Sequence, residues 1–240
     1  MCRRKKFQAA MAMTVAAILS FSLPTFSEGG VSLVKYVLGG AGKYDMEDIN
    51  NEINGFGIDG FNDWAGQFGA GAQLGVGDYF IFGHQFTVNW WEEADGENNL
   101  DGGFQTFNWV AYSGVDLIPF MANIPLRFYP QLGVGGALTR LKISDSSFDF
   151  DQAVVETASR DALYQAHFII EIAGVVDYTF LVPNWNKGII VGARAGFLWQ
   201  PFVKDNWNRS GSNFTNGPEH HLNSLQLQGF IGLNWLCERK

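Results

Sequence analysis

Six ionisable residues share their alternating phase with glutamine, asparagine, threonine and glycine rather than with the bulky apolar residues beside them: Asp116, Arg127, His167, Glu171, Asp177 and Arg194. On an extended chain, residues two apart point the same way, so all six project from the polar faces of their segments. A buried charge without a partner costs several kcal/mol, so these residues are expected to pair. Folding the chain about residues 118–123 brings Asp116 opposite Arg127, and folding it about 183–188 brings Asp177 close to Arg194. Glu171 lies further along the same face, with His167 one step beyond. Such a network either fills a closed interior or, by exchanging partners, gates a narrow path for water or ions.

Other chemistry is less well supported by the residue types. Acidic residues crowd three stretches: Asp45, Glu47, Asp48, Glu52, Asp59 and Asp63; then Glu92, Glu93, Asp95, Glu97 and Asp101; then Asp145, Asp149, Asp151, Glu156 and Asp161. They read as solvated loops or as a vestibule that collects cations. Asp48, Asn50 and Glu52 have the spacing of a calcium loop, but Ile53 stands where that loop needs glycine. Glu219-His220-His221 is the best candidate for catalysis at a rim. Adjacent histidines on an extended segment point opposite ways, which disfavours joint metal ligation. No Walker loop, Cys-x-x-Cys, HExxH or Gly-x-Ser-x-Gly occurs. The expectation is a non-enzymatic chain with no cofactor and no metal.

The elements that must position these residues are strands. Eight stretches alternate with a period of two: 31–42, 64–76, 80–91, 104–117, 124–141, 164–182, 189–203 and 222–236. In the sixth, Ala166, Phe168, Ile170, Ile172, Val176, Tyr178 and Phe180 oppose Gln165, His167, Glu171, Asp177 and Thr179. In the first, Val34, Tyr36 and Leu38 share a face opposite Lys35. The connections alternate between short (77–79, 118–123, 183–188) and long (43–63, 92–103, 142–161, 204–221). That is the pattern of an up-and-down meander with short turns at one end and long loops at the other.

Residues 1–27 have the layout of an export signal: Arg3, Arg4, Lys5 and Lys6, then an uncharged apolar core from Ala9 to Leu23, then the small residues Thr25 and Ser27. Residues 28–240 form the expected mature domain. Cys2 would leave with the signal and Cys237 would then stand alone, which excludes an internal disulfide. The formal charge is −8, or about −12 without the signal, which argues against a nucleic-acid partner. Phe (21), Trp (8) and Gly (29) are all abundant. The first two suit lipid-facing strands and the third a crowded lumen.

A soluble, lipocalin-like binding barrel shows the same alternation with its apolar face inward. The apolar rows here contain too many large aromatics for an eight-stranded interior, which only just holds side chains. Tryptophans near strand ends suggest an aromatic girdle: Trp64, Trp90, Trp91 and Trp199 toward the loop end, Trp185 and Trp235 toward the turn end. His84 falls on the apolar face, which suggests an interfacial position or a bulge that shifts the phase. The expected fold is therefore all-β, an eight-stranded antiparallel up-and-down transmembrane β-barrel with lipid outside and a wet lumen inside.

On these strands and loops, the chain resembles the small eight-stranded outer-membrane barrels of the OmpA, OmpX and OmpW type. The resemblance covers about residues 31–236. Such proteins usually end on a terminal aromatic read by the barrel-assembly machinery. Here Trp235 is followed by Leu236-Cys237-Glu238-Arg239-Lys240. The resemblance implies outer-membrane lipid and that machinery as partners. The leading functional expectation is a narrow channel or transporter for small solutes with acidic surface loops. The alternative is a surface-exposed structural or adhesion protein that contacts a host ligand without transport.

Overall fold

The computed structural model describes residues 31–55, 57–77, 79–91, 94–95, 100–118, 126–145, 162–182, 187–202, 207–209, 212–214 and 221–236. Eight long strands make one sheet: β1 (Val31–Tyr44), β2 (Trp64–Val76), β3 (Phe80–Trp90), β4 (Leu100–Val115), β5 (Leu126–Asp145), β6 (Ala162–Leu181), β7 (Lys187–Trp199) and β8 (Ser224–Leu236). Each pairs antiparallel with the next. β8 returns to β1, from Ser32↔Leu236 to Tyr44↔Ser224, which closes the ring and leaves no free edge among these strands. The protein is an all-β, eight-stranded, antiparallel up-and-down barrel. Its strands are 11 to 20 residues long, above the roughly 9–11 residues that a tilted strand needs to cross hydrocarbon.

The side-chain phase sorts cleanly along β6: Ile169 is 0 % exposed while Ile172 is 61 % exposed. Phe168, Ile172 and Phe180 therefore point away from the interior, and His167, Glu171 and Asp177 point into it. β1 inverts the rule. Val34, Tyr36 and Leu38 are buried inside, and Lys35 faces out with its ammonium 5.9 Å from the Trp235 ring. Lys35 sits near the turn end, where a long stem lets the charge reach the barrel rim. At Gly77, in the turn between β2 and β3, φ is +62°, a conformation that glycine adopts without a steric penalty.

The first long loop is not an open solvated segment. Met46 leads into a helix, α1 (Glu47–Asn54), and the chain returns through Ile58 and Phe61 to β2. The spacing of Met46, Ile49 and Ile53 puts one apolar stripe on the helix, and all three are buried. The acidic residues Asp45, Glu47, Asp48, Glu52, Asp59 and Asp63 are exposed on the other side. At the loop end β4 and β5 extend beyond the boundaries that alternation suggests, pairing out to Leu100↔Asp145. A hairpin of Trp207–Arg209 and Ser212–Phe214 joins β6 through Tyr164↔Asn208. Residues 1–27, the expected export signal, lie outside the described residues, as do Trp185, Glu219 and His220.

Candidate functional site

The interior is layered, and the strand phase dictates what each layer contains. At the loop end, Met46, Ile49, Ile53, Ile58 and Phe61 enter the mouth and pack on Tyr44, Trp91, Phe104, Leu198, Trp207 and Leu222. Trp91, expected in the outer girdle, is instead 5 % exposed, with its ring 4.7 Å from Phe104 and 4.9 Å from Tyr44. The residue follows the end of β3, whose phase turns Trp90 outward and so sends Trp91 in. Trp64 and Trp199 are exposed at the loop end, and Trp90 and Trp235 are half-buried on the outward face. Lys187 lies 5.6 Å from the Trp235 ring. Two ties hold the cap. Tyr44 N–H donates to Asp63 O at 2.8 Å. The Asn50 amide donates to Phe61 O at 2.9 Å and accepts from Phe61 N–H at 2.7 Å.

Below the cap lies a belt of polar side chains. Asn89 donates to Thr106 Oγ1 at 2.7 Å, and Thr139 Oγ1 and His167 Nε2 share a hydrogen bond of 3.0 Å. Gln67 donates to the Tyr44 hydroxyl at 3.2 Å and accepts from Gln228 at 3.0 Å. Gln228 in turn accepts from Arg194 Nη1 at 2.8 Å. Arg194 also donates through Nε to Gln131 at 3.1 Å and forms an ion pair with Glu171. Gln85 joins this pair, its amide oxygen accepting from Arg194 Nη1 at 2.7 Å.

A second network fills the turn-end half. Arg127 makes a two-pronged contact with Asp177, Nε to Oδ1 at 2.8 Å and Nη2 to Oδ2 at 2.9 Å. Tyr129 donates to Asp177 at 3.0 Å and lies 3.2 Å from Gln73 Oε1. Gln73 also accepts from Tyr112, whose hydroxyl sits 3.0 Å from that of Tyr36. Gly71 and Gly83 make room for that tyrosine pair, because a Cβ at either position would collide with a tyrosine hydroxyl. Asp116 stands just past β4 and accepts from Ile118 N–H at 3.1 Å and Phe128 N–H at 3.2 Å. Burial pushes its carboxyl above the usual range, against the two backbone donors and the nearby Arg127 that pull it down.

All six residues singled out from sequence face the interior, but the partners differ from those expected. Arg127 pairs with Asp177, its direct cross-strand neighbour, rather than with Asp116. Arg194 pairs with Glu171 rather than with Asp177. Folding each hairpin by itself hides the β5–β6 contact, which the long loop 146–161 conceals in sequence. Apolar side chains share the lumen with these polar groups. Val34, Leu38, Ile190, Val175 and Tyr129 pack between the polar groups. A void lined by Tyr36, Gln73, Tyr112, Tyr129, Arg194 and Phe230 measures about 10 Å³, room for no more than about one water. The tyrosines and glutamines of these networks share strand phase with the charges, which is the signal that could have found them. Among the described residues, no group of three or more histidines, cysteines or acids is placed to hold a metal.

His84 faces outward. Pairing runs without interruption through Ala72↔His84 and His84↔Ala111, so no bulge shifts its phase.

No family model matches the sequence, and no curated protein does. Among solved structures, the chain is similar to Ail, the attachment invasion locus protein of Yersinia pestis, in complex with the heparin analogue sucrose octasulfate. The identity is 9 %, covering 87 % of this chain and 99 % of that one, at a TM-score of 0.44. It is likewise similar to Neisserial surface protein A, at 13 % identity, 87 % and 99 % coverage and a TM-score of 0.44. A third is a major outer membrane protein from Thermus thermophilus, at 11 % identity, 86 % and 98 % coverage and a TM-score of 0.49. The fold assignment for this chain rests on its own strand pairing, which closes eight antiparallel strands into a ring.

Proposed function

We propose that this chain is an integral outer-membrane protein whose barrel is a closed anchor and whose acidic, folded cap is the surface that meets the environment. Export by residues 1–27 and insertion by barrel-assembly machinery belong to the same proposal. Membrane placement is supported by the outward rows: Phe82, Trp109, Leu132, Phe168, Ile172 and Phe197 are all large, apolar and exposed. On a water-facing barrel these rows would form an apolar belt far beyond what soluble monomers expose. The observation that carries the closed-anchor reading is the cap, in which α1 and the return segment fill the mouth with apolar side chains packed on Trp91, Phe104 and Leu198.

The channel reading has one observation in its favour. Two ion pairs face the interior, and that of Arg194 and Glu171 is buried on both sides, where apolar residues of similar volume would serve stability as well or better, so a role in gating would account for its presence. Planar-bilayer recording separates the two. The purified protein is first shown to be folded by heat-modifiable gel mobility. The closed anchor gives no steady conductance. A steady conductance that changes in Arg194→Ala and Glu171→Ala would reject it in favour of a gated path.

A further inference from the structure

Half-way up the outward wall stands an imidazole. The row of cross-strand partners through His84 climbs from Leu233 near the turn end, through Lys35 and Ala72, and on through Ala111 to Trp199 at the loop end. His84 is fourth of the eight positions in that row. Lys35, two strands away, is at the Trp235 ring by the rim. The nearest outward neighbours of His84 are Ala72 and Ala111 across the strands and Phe82 and Phe86 along β3, and none has a polar side-chain atom. Ser113, a diagonal neighbour on β4, is the nearest outward hydroxyl.

A polar, ionisable side chain in hydrocarbon is unfavourable without a hydrogen-bond partner, and such residues mark contacts with other protein groups. The shape around His84 matches that need. Phe82, His84 and Phe86 form a ridge between two furrows floored by Ala72 on one side and by Ala111 and Ser113 on the other. Small residues let two protein surfaces approach closely in a bilayer. An imidazole carries two ring nitrogens that hydrogen-bond in opposite directions, so the ring is complementary to the same ring, or to Ser113, of a second copy. A twofold axis at this patch seats each ridge in the other copy's furrow and pairs the polar groups reciprocally, as an isologous contact requires. The opposite wall has a furrow of small residues too, over Gly174, Ala193, Ala195 and Gly229, but the outward side chains that border it, Phe128, Val176 and Leu227, are apolar, and no imidazole stands beside it.

We infer that two copies of this chain pair side by side in the membrane through the outward face of β2–β4, centred on His84. The inference rests on the membrane placement proposed above. The test uses the full chain with Cys2→Ser and Cys237→Ser, labelled with donor or acceptor dye at Glu52→Cys on the exposed side of α1, in phospholipid vesicles. Energy transfer is expected to persist when lipid is added in several-fold excess. His84→Ala is expected to lower it several-fold toward the level of random encounters, His84→Asn to retain most of it, and Ile172→Ala to leave it unchanged. Folding of each variant is checked by heat-modifiable mobility. Transfer that falls with dilution in the parent protein, or that is indifferent to His84→Ala, overturns the pairing. Lipids brominated along their chains quench the outward tryptophans of an inserted barrel whether or not copies pair. Absence of that quenching would therefore overturn the membrane placement itself and, with it, the pairing.

Discussion

At the loop end the interior is closed by Met46, Ile49, Ile53 and Phe61 against Trp91 and Trp207, whereas half-way down it is closed by Arg194, Glu171 and a set of glutamines. The two closures differ in what happens when they open. The cap can lift as a unit, because its packed face is apolar and polar ties such as Asn50–Phe61, Ile58–Ile53 and Tyr44–Asp63 lie within the loop. Its opening costs in proportion to the apolar area exposed, the behaviour of a locally unfolding segment. The layer beneath cannot open so gradually. Moving Arg194 breaks contacts with Glu171, Gln131 and Gln228 together, each left without its partner in the buried interior. A closure of that kind is nearly all-or-none, and it would hold the interior shut even with the cap displaced.

The charged layer responds most to the loss of one charge. Arg194→Ala leaves Glu171 buried and unpaired, and Glu171→Ala does the same to Arg194. Each is expected to cost about 3–5 kcal/mol of stability, read as a lowered urea midpoint in phospholipid vesicles. The double variant Arg194→Met with Glu171→Gln removes both charges and is expected to recover most of the loss. A double variant as unstable as the sum of the singles would mean that the two residues act independently, and the layer would then be no tighter a unit than the cap.

The cap gives the next largest effect and a different signature. Ile49→Ala and Ile53→Ala each delete a buried side chain and are expected to weaken docking by about 2–4 kcal/mol. The loss should be local. Amide exchange in α1 accelerates and Trp91 becomes accessible to aqueous quenchers, while the global urea midpoint moves little. Bilayer conductance stays silent, because the Arg194 layer still fills the interior. Conductance that appears when α1 undocks would place the seal at the cap alone.

The same contrast explains how much is legible in the sequence. Alternation determines the strand phase because lipid-facing rows such as Phe168, Ile170 and Ile172 differ so sharply from Gln165, His167 and Glu171. All six charges accordingly fall in the interior. Their partners are not legible, because phase says which face a residue occupies and not which strand lies beside it at the same height. The Arg127–Asp177 contact joins β5 to β6 across a long connection, and only the register shows it. α1 is obscured for another reason. Its stripe of Met46, Ile49 and Ile53 is short and lies among acids and asparagines, so composition suggests a solvated loop although the i, i+4 spacing is present. On β1, Val34, Tyr36 and Leu38 reverse the usual sidedness. There the interior needs apolar filling, and Lys35 is near enough to the rim to place its charge at Trp235.

The smallest expected effect lies at the turn end, where Asp116 sits beside the Arg127–Asp177 pair without joining it. Burial raises its carboxyl pKa in the folded protein, with Arg127 and two backbone N–H groups opposing. A raised folded pKa means that this group favours folding below its unfolded pKa, and that the contribution is lost as pH rises through the folded value. Asp116→Asn retains an acceptor oxygen for the Ile118 and Phe128 N–H groups and removes the charge. At neutral pH the variant should match or slightly exceed the parent in urea midpoint, by no more than about 1 kcal/mol. The difference should shrink as pH falls through the carboxylate range and the parent's own carboxyl takes up its proton. A difference that instead widens on acidification, with the parent the more stable at neutral pH, would show that attraction to Arg127 outweighs burial. Asp116 would then belong to the charged layer rather than stand beside it.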